Sequence, residues 1–516
     1  MAERRHGYNV SIGYLANFFP NMAPDWLDFC VRAQGFDSGR AGSPYRYIDL
    51  GCGPGFHVCL LAAANPQAEF VGIDFASDVM HGQQLAAAAG LTNVRFVQAD
   101  FLDLANSWPT ELGSFDYIAL QGIVSWVSSE VRAAALQCAA QASKPGTLIS
   151  VGYNCSPGWL SYIPFQHVAN RSSEKRDANA AIGDAITMFR QLRHAQAPFF
   201  EQMPHFKTHL EGLAGQPPSY LVHEYLTDHW TPLWHSDVAQ ELRGLGFTHV
   251  GSANVSDSSL PNFLPAGLAA IINQQTDETL REDVQDIAIM RQFRLDIFCS
   301  KPQPAKSDVL AGNAPVHLMV APQESAAVHL STMSGGRTVG YDLVADIFAA
   351  LADGPKPVAE LMALKNAARR DTRGILLSML DAQLLAIGSA AGEAAEVGAR
   401  FNAVLARAAT GGERYGHLAA AALGSGVPVT ELELLLLDTW LSAGCDIGPE
   451  DLGQGLEQRL TALGRPLRFR GDVLANEELQ RHLTQLASNF VDQLVPRWRG
   501  LGVLQQLSLE RPARVR

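Results

Sequence analysis

Long apolar runs are missing from this 516-residue chain. No stretch approaches the ~18 consecutive apolar residues of a membrane-spanning helix, and the Leu434–Leu437 run reads as part of a packed helix. The opening residues, Met1–Ser11, lack the apolar core of a signal peptide, so a cytoplasmic chain without a membrane span is expected. Cysteine is sparse and scattered: Cys30, Cys52, Cys59, Cys138, Cys155, Cys299 and Cys445 form no CxxC pair. That spacing argues against a disulfide framework and against structural zinc, and favours buried free thiols in a reducing compartment. An excess of positive charge is also absent: 39 Lys and Arg against 52 Asp and Glu leave a formal net charge of -13. Nucleic-acid binders usually carry a basic face, so no nucleic-acid partner is expected. Arg369-Arg370 reads as a solvated helix end, and no RNA-binding module with interleaved aromatics stands out.

What the chain does have is an ordinary globular balance, 47% hydrophobic and 18% charged, with length for about three domains of roughly 150 residues. Residues 1–44 read as a helical, irregular lid interrupted by Pro20 and Pro24. Over 45–160, short strands alternate with helices: strands at Tyr47–Leu50, Glu69–Asp74, Val94–Gln98, Phe115–Leu120 and Gly146–Tyr153, helices at His57–Ala64, Ser77–Ala89 and Ser129–Ala142. Such alternation predicts an α/β fold with a doubly wound, Rossmann-like parallel sheet. Residues 161–300 are richer in helix, with amphipathic stretches at Ala178–Gln196 and Asp277–Met290 and a strand near Thr248–Ala253. Residues 301–340 read as a linker with a hairpin between Val316–Val320 and Val328–Thr332. From 341 to 516 the pattern is mostly helical, and Leu343–Ala352, Val358–Leu364 and Thr372–Leu385 could open it as a winged-helix-like unit or a small bundle.

The strongest local signal is Ile48-Asp49-Leu50-Gly51-Cys52-Gly53-Pro54-Gly55, which follows a strand and opens a helix. Glycines there let the backbone turn tightly and approach a ligand, and a helix N-terminus favours an anionic group. The spacing is G-x-G-x-G, not the G-x-G-x-x-G/A of dinucleotide enzymes, because position 56 is Phe. Asp49 just before the first glycine would sit poorly beside a pyrophosphate but suits a cation, and S-adenosylmethionine carries an ammonium and a sulfonium. Asp74, with Phe75 beside it, ends the next strand, where an acid can take ribose hydroxyls in this topology. Asp100 follows the third strand, placed to accept from an adenine amino group with Phe101 against the ring. Each acid alone could equally cap a helix or end a strand. In this order they resemble the class I methyltransferases that use S-adenosylmethionine.

The segments in between narrow the resemblance. Gln121-Gly122-Ile123-Val124-Ser125-Trp126-Val127 looks like the HGIWSWI element of a bacterial subgroup, and Tyr153-Asn154 with Pro157-Gly158-Trp159 resembles its YNTLPGW element. Tyr8, Tyr14 and Pro24 resemble its leading tyrosines and proline. His223-Glu224-Tyr225-Leu226, Trp230, Pro232, Asp237-Val238-Ala239, Gly251-Ser252-Ala253 and Gln292–Phe298 resemble its second part, a methyltransferase regulatory domain. Phe401-Asn402 and Arg470-Gly471 match more loosely. Members include rickettsial-type protein lysine methyltransferases, so the resemblance implies transfer to a protein lysine, with a small-molecule acceptor or a non-catalytic cofactor-binding adaptor as the alternatives. Two departures bear on the acceptor: Gln121 stands where many relatives have His, and Phe56-His57 stand where small or polar residues are usual.

Methyl transfer from a sulfonium needs mainly alignment of the acceptor, and a lysine must first lose its proton. Tyr14, Tyr153, Asn154 and Trp126 are the candidates near the methyl group; Asp49, Gly51, Cys52, Gly53, Gly55, Asp74, Phe75, Asp100, Phe101, Gln121 and Gly122 are those for the cofactor. No metal is expected: His223-Glu224-Tyr225-Leu226-Thr227 departs from HExxH at its fifth residue, and His223, His229 and His235 are spaced like no usual zinc cluster. His223 is expected to fix the second domain or shape the acceptor cleft. A homodimer is compatible with the sequence.

Overall fold

The computed structural model describes residues 4–10, 12–37, 44–320, 327–332, 334–364, 372–389, 395–469 and 472–505. Arg369-Arg370 and Arg470-Gly471 lie outside these residues.

A two-strand hairpin, β1 (Arg4–Arg5) and β2 (Tyr8–Asn9), comes first and is followed by α1 (Pro24–Ala33) and β3 (Phe36–Asp37). The front of the chain is therefore not the helical lid expected for 1–44, and its prolines start helices rather than interrupting them. Pro20 opens a short 3-10 turn and Pro24 opens α1, because proline lacks the N–H that a first helical turn leaves unused.

The sheet follows: β4 (Arg46–Leu50), α2 (Phe56–Ala64), β5 (Glu69–Asp74), α3 (Val79–Ala89), β6 (Val94–Gln98), α4 (Phe101–Asn106), β7 (Phe115–Gln121), α5 (Ser129–Gln141) and β8 (Ser143–Asn154). Its central strands are mostly apolar, as Tyr47, Ile48 and Leu50 illustrate, because helices cover both faces. Helices α6 (Ile163–Ser173), α7 (Ala178–His194), α8 (Phe199–Gln202), α9 (Pro204–Leu213) and α10 (Pro218–Tyr225) form an aromatic-rich lobe around Phe165, Phe206 and Tyr225. The chain then returns through α11 (His235–Gly244), β9 (Phe247–Ser252), α12 (Ala266–Asn273), α13 (Glu278–Ile289) and β10 (Phe293–Ser300).

One seven-stranded sheet results, in the order β6-β5-β4-β7-β8-β10-β9. Strands β4 to β8 pair in parallel, β10 runs against β8, and β9 against β10. The sheet therefore does not end near residue 160, and two strands from the 161–300 segment complete its edge. The switch in strand order lies between β4 and β7, where a crevice opens at the strand ends.

Beyond β10, Ala327–Thr332 pairs with Gly335–Gly340, not with the strand near 316. Pro315–Leu318 instead joins Lys356–Pro357 and Leu385–Ile387 in a three-stranded sheet. This sheet accompanies the helices Ala345–Leu351, Val358–Met362 and Thr372–Asp381. Helices Ala395–Ala409, Glu431–Ser442, Pro449–Ala462 and Asn476–Asn489 make up most of the remainder. Phe56, at the start of α2, stacks on Phe401 with ring centroids 6.4 Å apart and lies 4.9 Å from the Tyr415 ring. The helical C-terminal part is thus packed directly against the back of the glycine loop. No helix among the described residues is long and apolar enough to cross a membrane.

Candidate active site

The glycine loop between β4 and α2 is pinned to the neighbouring strand. Gly51 and Cys52 both donate their N–H to the Ile73 carbonyl, at 2.8 and 3.0 Å, and Gly53 donates to Asp74 Oδ2 at 2.8 Å. Gly51 and Gly55 have φ of 94° and 73°, left-handed values that side chains resist. A Cβ on Gly51 would come 2.3 Å from Ile123, and one on Gly55 would come 2.5 Å from the Phe96 ring and 3.0 Å from Gly82 Cα.

In front of the loop lies a cavity of about 390 Å³. It is walled by Asp49, Gly51, Cys52, Gly53, Asp74, Phe75, Asp100, Phe101, Gln121, Gly122 and Tyr14, all expected site residues. Gly55 stands behind it, where α2 and α3 approach closely. The electrostatics of the floor are unbalanced. Asp49 is 4% exposed and its Oδ1 has no hydrogen-bond partner. Burial and the nearby Asp74 push its carboxyl up to about 8. Asp74 is also raised, by burial, although Gly53 and Ala76 N–H groups offset part of that. Two buried carboxylates without a cation fit a ligand that brings its own positive charge. Phe75 and Phe101 on the same wall supply apolar surface for a flat ring beside it. The donor set therefore suits the ammonium, sulfonium and adenosine of S-adenosylmethionine.

Asp100 departs from the simple expectation. Its Oδ1 caps α4 by accepting from Leu102 N at 3.1 Å, while its Oδ2 meets Arg5 at 3.0 Å and His6 at 2.8 Å. Burial works against its charge, but Leu102, His6 and Arg5 outweigh it and hold the carboxyl below its usual range. The same Arg5 guanidinium lies 5.2 Å from the Phe75 ring centroid. Arg4 reaches the helical lobe through Asp228, through Asn170 at 2.7 Å and through Ser173 at 2.6 Å. The N-terminal hairpin therefore straps the sheet to the lobe across the cavity mouth. Tyr14 continues this roof, its N–H bonded to Asp78 Oδ2 at 3.0 Å.

Three of the four residues expected near the methyl group, Tyr153, Asn154 and Trp126, are not on the cavity wall. Successive residues of a strand face opposite ways, and Tyr153 and Asn154 show the consequence. The Tyr153 hydroxyl donates to Asp296 Oδ2 at 2.5 Å inside a buried ionic cluster. Asn154 Nδ2 donates to Glu224 Oε1 at 2.8 Å, and Trp230 Nε1 reaches the same atom at 3.0 Å. Trp126 is buried in the aromatic lobe and also interacts with Glu224. These residues hold structure around the site and do not line it.

Among the further cavity residues are Tyr8, read in the sequence only as part of the family resemblance, and His223, expected to fix the second domain or shape the acceptor cleft. His223 is 6% exposed, and its ring nitrogens have no side-chain partner and no well-formed hydrogen bond, with the Ile12 and Gly13 backbone nearby. Its ring stacks on Tyr8 at 5.5 Å and meets the edge of Tyr14 at 4.8 Å. A cue existed, since Tyr8, Tyr14 and His223 all belong to the elements of family resemblance. The two departures also find their places. His57 is buried, bonded to the Tyr47 hydroxyl at 3.1 Å, and burial with His417 nearby lowers it to about 3. Gln121 lies against Gly152 with its Oε1 unpartnered.

Elsewhere, His235, His249 and Asp296 bring possible ligand atoms within 4.8 Å of one another. Asp296 is already engaged, however, by Arg294 at 2.9 and 3.1 Å, His235 at 2.8 Å and Tyr153. Burial opposes its charge, but Arg294 and His235 hold its carboxyl well below the usual range. That arrangement is a salt-bridge core rather than an open metal site.

Comparison with known proteins follows the same division. A methyltransferase-domain model matches residues 42–211, and a predicted methyltransferase regulatory domain matches 217–300. An uncharacterized protein of Synechocystis is 29% identical, covering 96% of this chain and 99% of its own length. An uncharacterized protein of Rickettsia prowazekii is 32% identical over 35% of this chain and 72% of its own. Among solved structures, PKMT2 from Rickettsia typhi in complex with AdoHcy superposes with a TM-score of 0.68 at 16% identity, covering 95% of this chain and 99% of that one. At that identity the likeness is one of fold.

Proposed function

The chain belongs to the S-adenosylmethionine-dependent methyltransferases that carry a methyltransferase regulatory domain, and on that premise we propose that its acceptor is a lysine amine of a protein. The observation that carries this reading is a neutral stretch of the cavity wall. Tyr8, Tyr14 and His223 face the cavity together. Such a wall suits an uncharged amine on an apolar stem, with edges that can orient its N–H groups. The family resemblance to rickettsial-type protein lysine methyltransferases and the fold shared with PKMT2 support it.

When bound, S-adenosylmethionine supplies a methyl group already activated on a sulfonium. In this reading Asp49 takes the cofactor's ammonium, and the glycine loop lets the backbone approach it. Asp74 and Phe75 flank the ribose and adenine, with Phe101 opposite. Asp100 accepts from the adenine amino group as the Arg5 and His6 contacts shift. Tyr14 closes the roof over the transfer line, so the residues contribute alignment and exclusion of water rather than covalent chemistry.

Tritiated S-adenosylmethionine added to a lysate of the source cell, fractionated into protein, nucleic acid and small molecules, tests the reading. Label in a protein band that disappears with Asp49→Ala supports it. Label confined to the small-molecule fraction replaces it with a biosynthetic acceptor.

A further inference from the structure

We propose that the segment described as regulatory supplies a reacting group: His223 accepts a hydrogen bond from the acceptor amine and takes its proton, an inference that rests on the lysine reading.

The geometry sets His223 apart from its neighbours. It is the last-turn histidine of α10, it lines the cavity, and its buried ring nitrogens have no side-chain partner and no well-formed hydrogen bond, the Ile12 and Gly13 backbone being the nearest polar groups. Leaving a buried imidazole unsatisfied costs free energy, so a site that does this gains when a ligand N–H arrives. The next residue explains how the ring is held. Glu224 points the other way, bonded to Asn154 and Trp230, and fixes the helix against the end of β8. The groups facing His223 are Tyr8 and Tyr14 in ring contact with it, the Ile12 and Gly13 backbone, Tyr220 one turn earlier, Asp78 beyond Tyr14, and the neighbouring Glu224. Burial lowers the imidazole below its ordinary range, while Asp78 and the Ile12 and Gly13 backbone oppose this in part. The ring is consequently neutral near pH 7 and keeps a lone pair for the incoming amine.

The protons balance simply. The acceptor arrives as an ammonium and gives one proton to a His223 nitrogen, leaving a neutral amine and an imidazolium. The amine lone pair forms the new N–C bond as the C–S bond breaks and its electron pair stays on sulfur. The methylated product is an ammonium again, and His223 passes its proton to water.

The test uses the full chain with His223→Gln and His223→Phe. S-adenosylhomocysteine binding is measured by calorimetry, and tritiated-methyl transfer to lysate protein is followed from about pH 6.5 to about pH 10. Binding is expected to stay within about twofold of wild type, because His223 lies on the acceptor side. Transfer is expected to fall about 100-fold near pH 7, with the deficit shrinking at least tenfold by about pH 10, where solvent deprotonates the amine unaided. A deficit equal at every pH, no deficit, or loss of S-adenosylhomocysteine binding overturns the proposal. Nitrogen NMR of the wild-type imidazole, with S-adenosylhomocysteine bound, stands independently of any variant's folding: a neutral ring at pH 7 supports the assignment and a protonated one contradicts it. If wild-type enzyme binds S-adenosylhomocysteine yet labels no protein, the lysine reading itself fails, and this inference with it.

Discussion

Asn154, the last residue of β8, donates its side-chain N–H to Glu224 Oε1 on α10 at 2.8 Å. That single bond joins the methyltransferase sheet to the helix of the regulatory segment, one residue from His223. Replacing Asn154 with Ala leaves the buried Glu224, whose carboxyl burial already raises, with one donor fewer. A stability loss of about 1–3 kcal/mol is expected in chemical denaturation. S-adenosylhomocysteine affinity is expected to change little and methyl transfer to drop, since the change displaces His223 and not the glycine loop.

Asp49 couples stability to function with a definite sign. Its folded-state carboxyl is raised from 3.8 to about 8, so the folded protein binds a proton that the unfolded chain releases. Stability of the ligand-free protein therefore falls as pH rises from about 4 to about 8. Asp49→Asn removes this dependence. The variant should be more stable than wild type by on the order of a few kcal/mol near pH 8, and no more stable near pH 4. It should also lose most of its affinity for S-adenosylhomocysteine. Thermal melts at the two pH values, with calorimetry alongside, check both parts.

Arg294 is the centre of the buried ionic cluster, bonded to Asp296, to Asp286 at 2.8 Å and to Glu282 at 2.6 Å. Arg294→Ala takes the shared cation from three carboxylates, leaving Asp286 with Arg291 and Asp296 with His235 and Tyr153, and is expected to cost about 3–5 kcal/mol. Denaturant unfolding measures it. Tyr153→Phe removes one hydroxyl from the same cluster and should cost only about 1 kcal/mol, with methyl transfer intact.

Gly55→Ala puts a methyl group into the Phe96 ring and Gly82 at a left-handed φ. A destabilisation of about 1–3 kcal/mol is expected. Because Gly55 is behind the cavity, any folded fraction should still bind S-adenosylhomocysteine.

The sheet was legible in the sequence where chemistry and periodicity agreed. Glu69–Asp74 and Val94–Gln98 are strands with those limits, because both carry dense apolar runs bounded by turns. The glycine loop and the acids at the strand ends follow from that placement. Phe293–Ser300 was visible only as part of a motif, since the charges of Arg294 and Asp296 interrupt its apolar pattern and their buried partners Asp286 and His235 come from other elements. Tyr153 and Asn154 were assigned to the site together, yet adjacent strand residues cannot share a face. His223 was expected to fix the second domain or shape the acceptor cleft, but its contacts were not legible because its neighbours Tyr8 and Tyr14 lie over 200 residues away in the chain. Pro24 was misread for want of its position: the same residue that ends one helix begins another.

The most direct measurement is mass spectrometry of proteins from the lysate after incubation with the enzyme and S-adenosylmethionine carrying a heavy methyl group. The account predicts heavy methyl on the side-chain amine of a lysine, present with wild type and absent with Asp49→Ala. Heavy methyl on a small molecule, with every lysine unmodified, would contradict it.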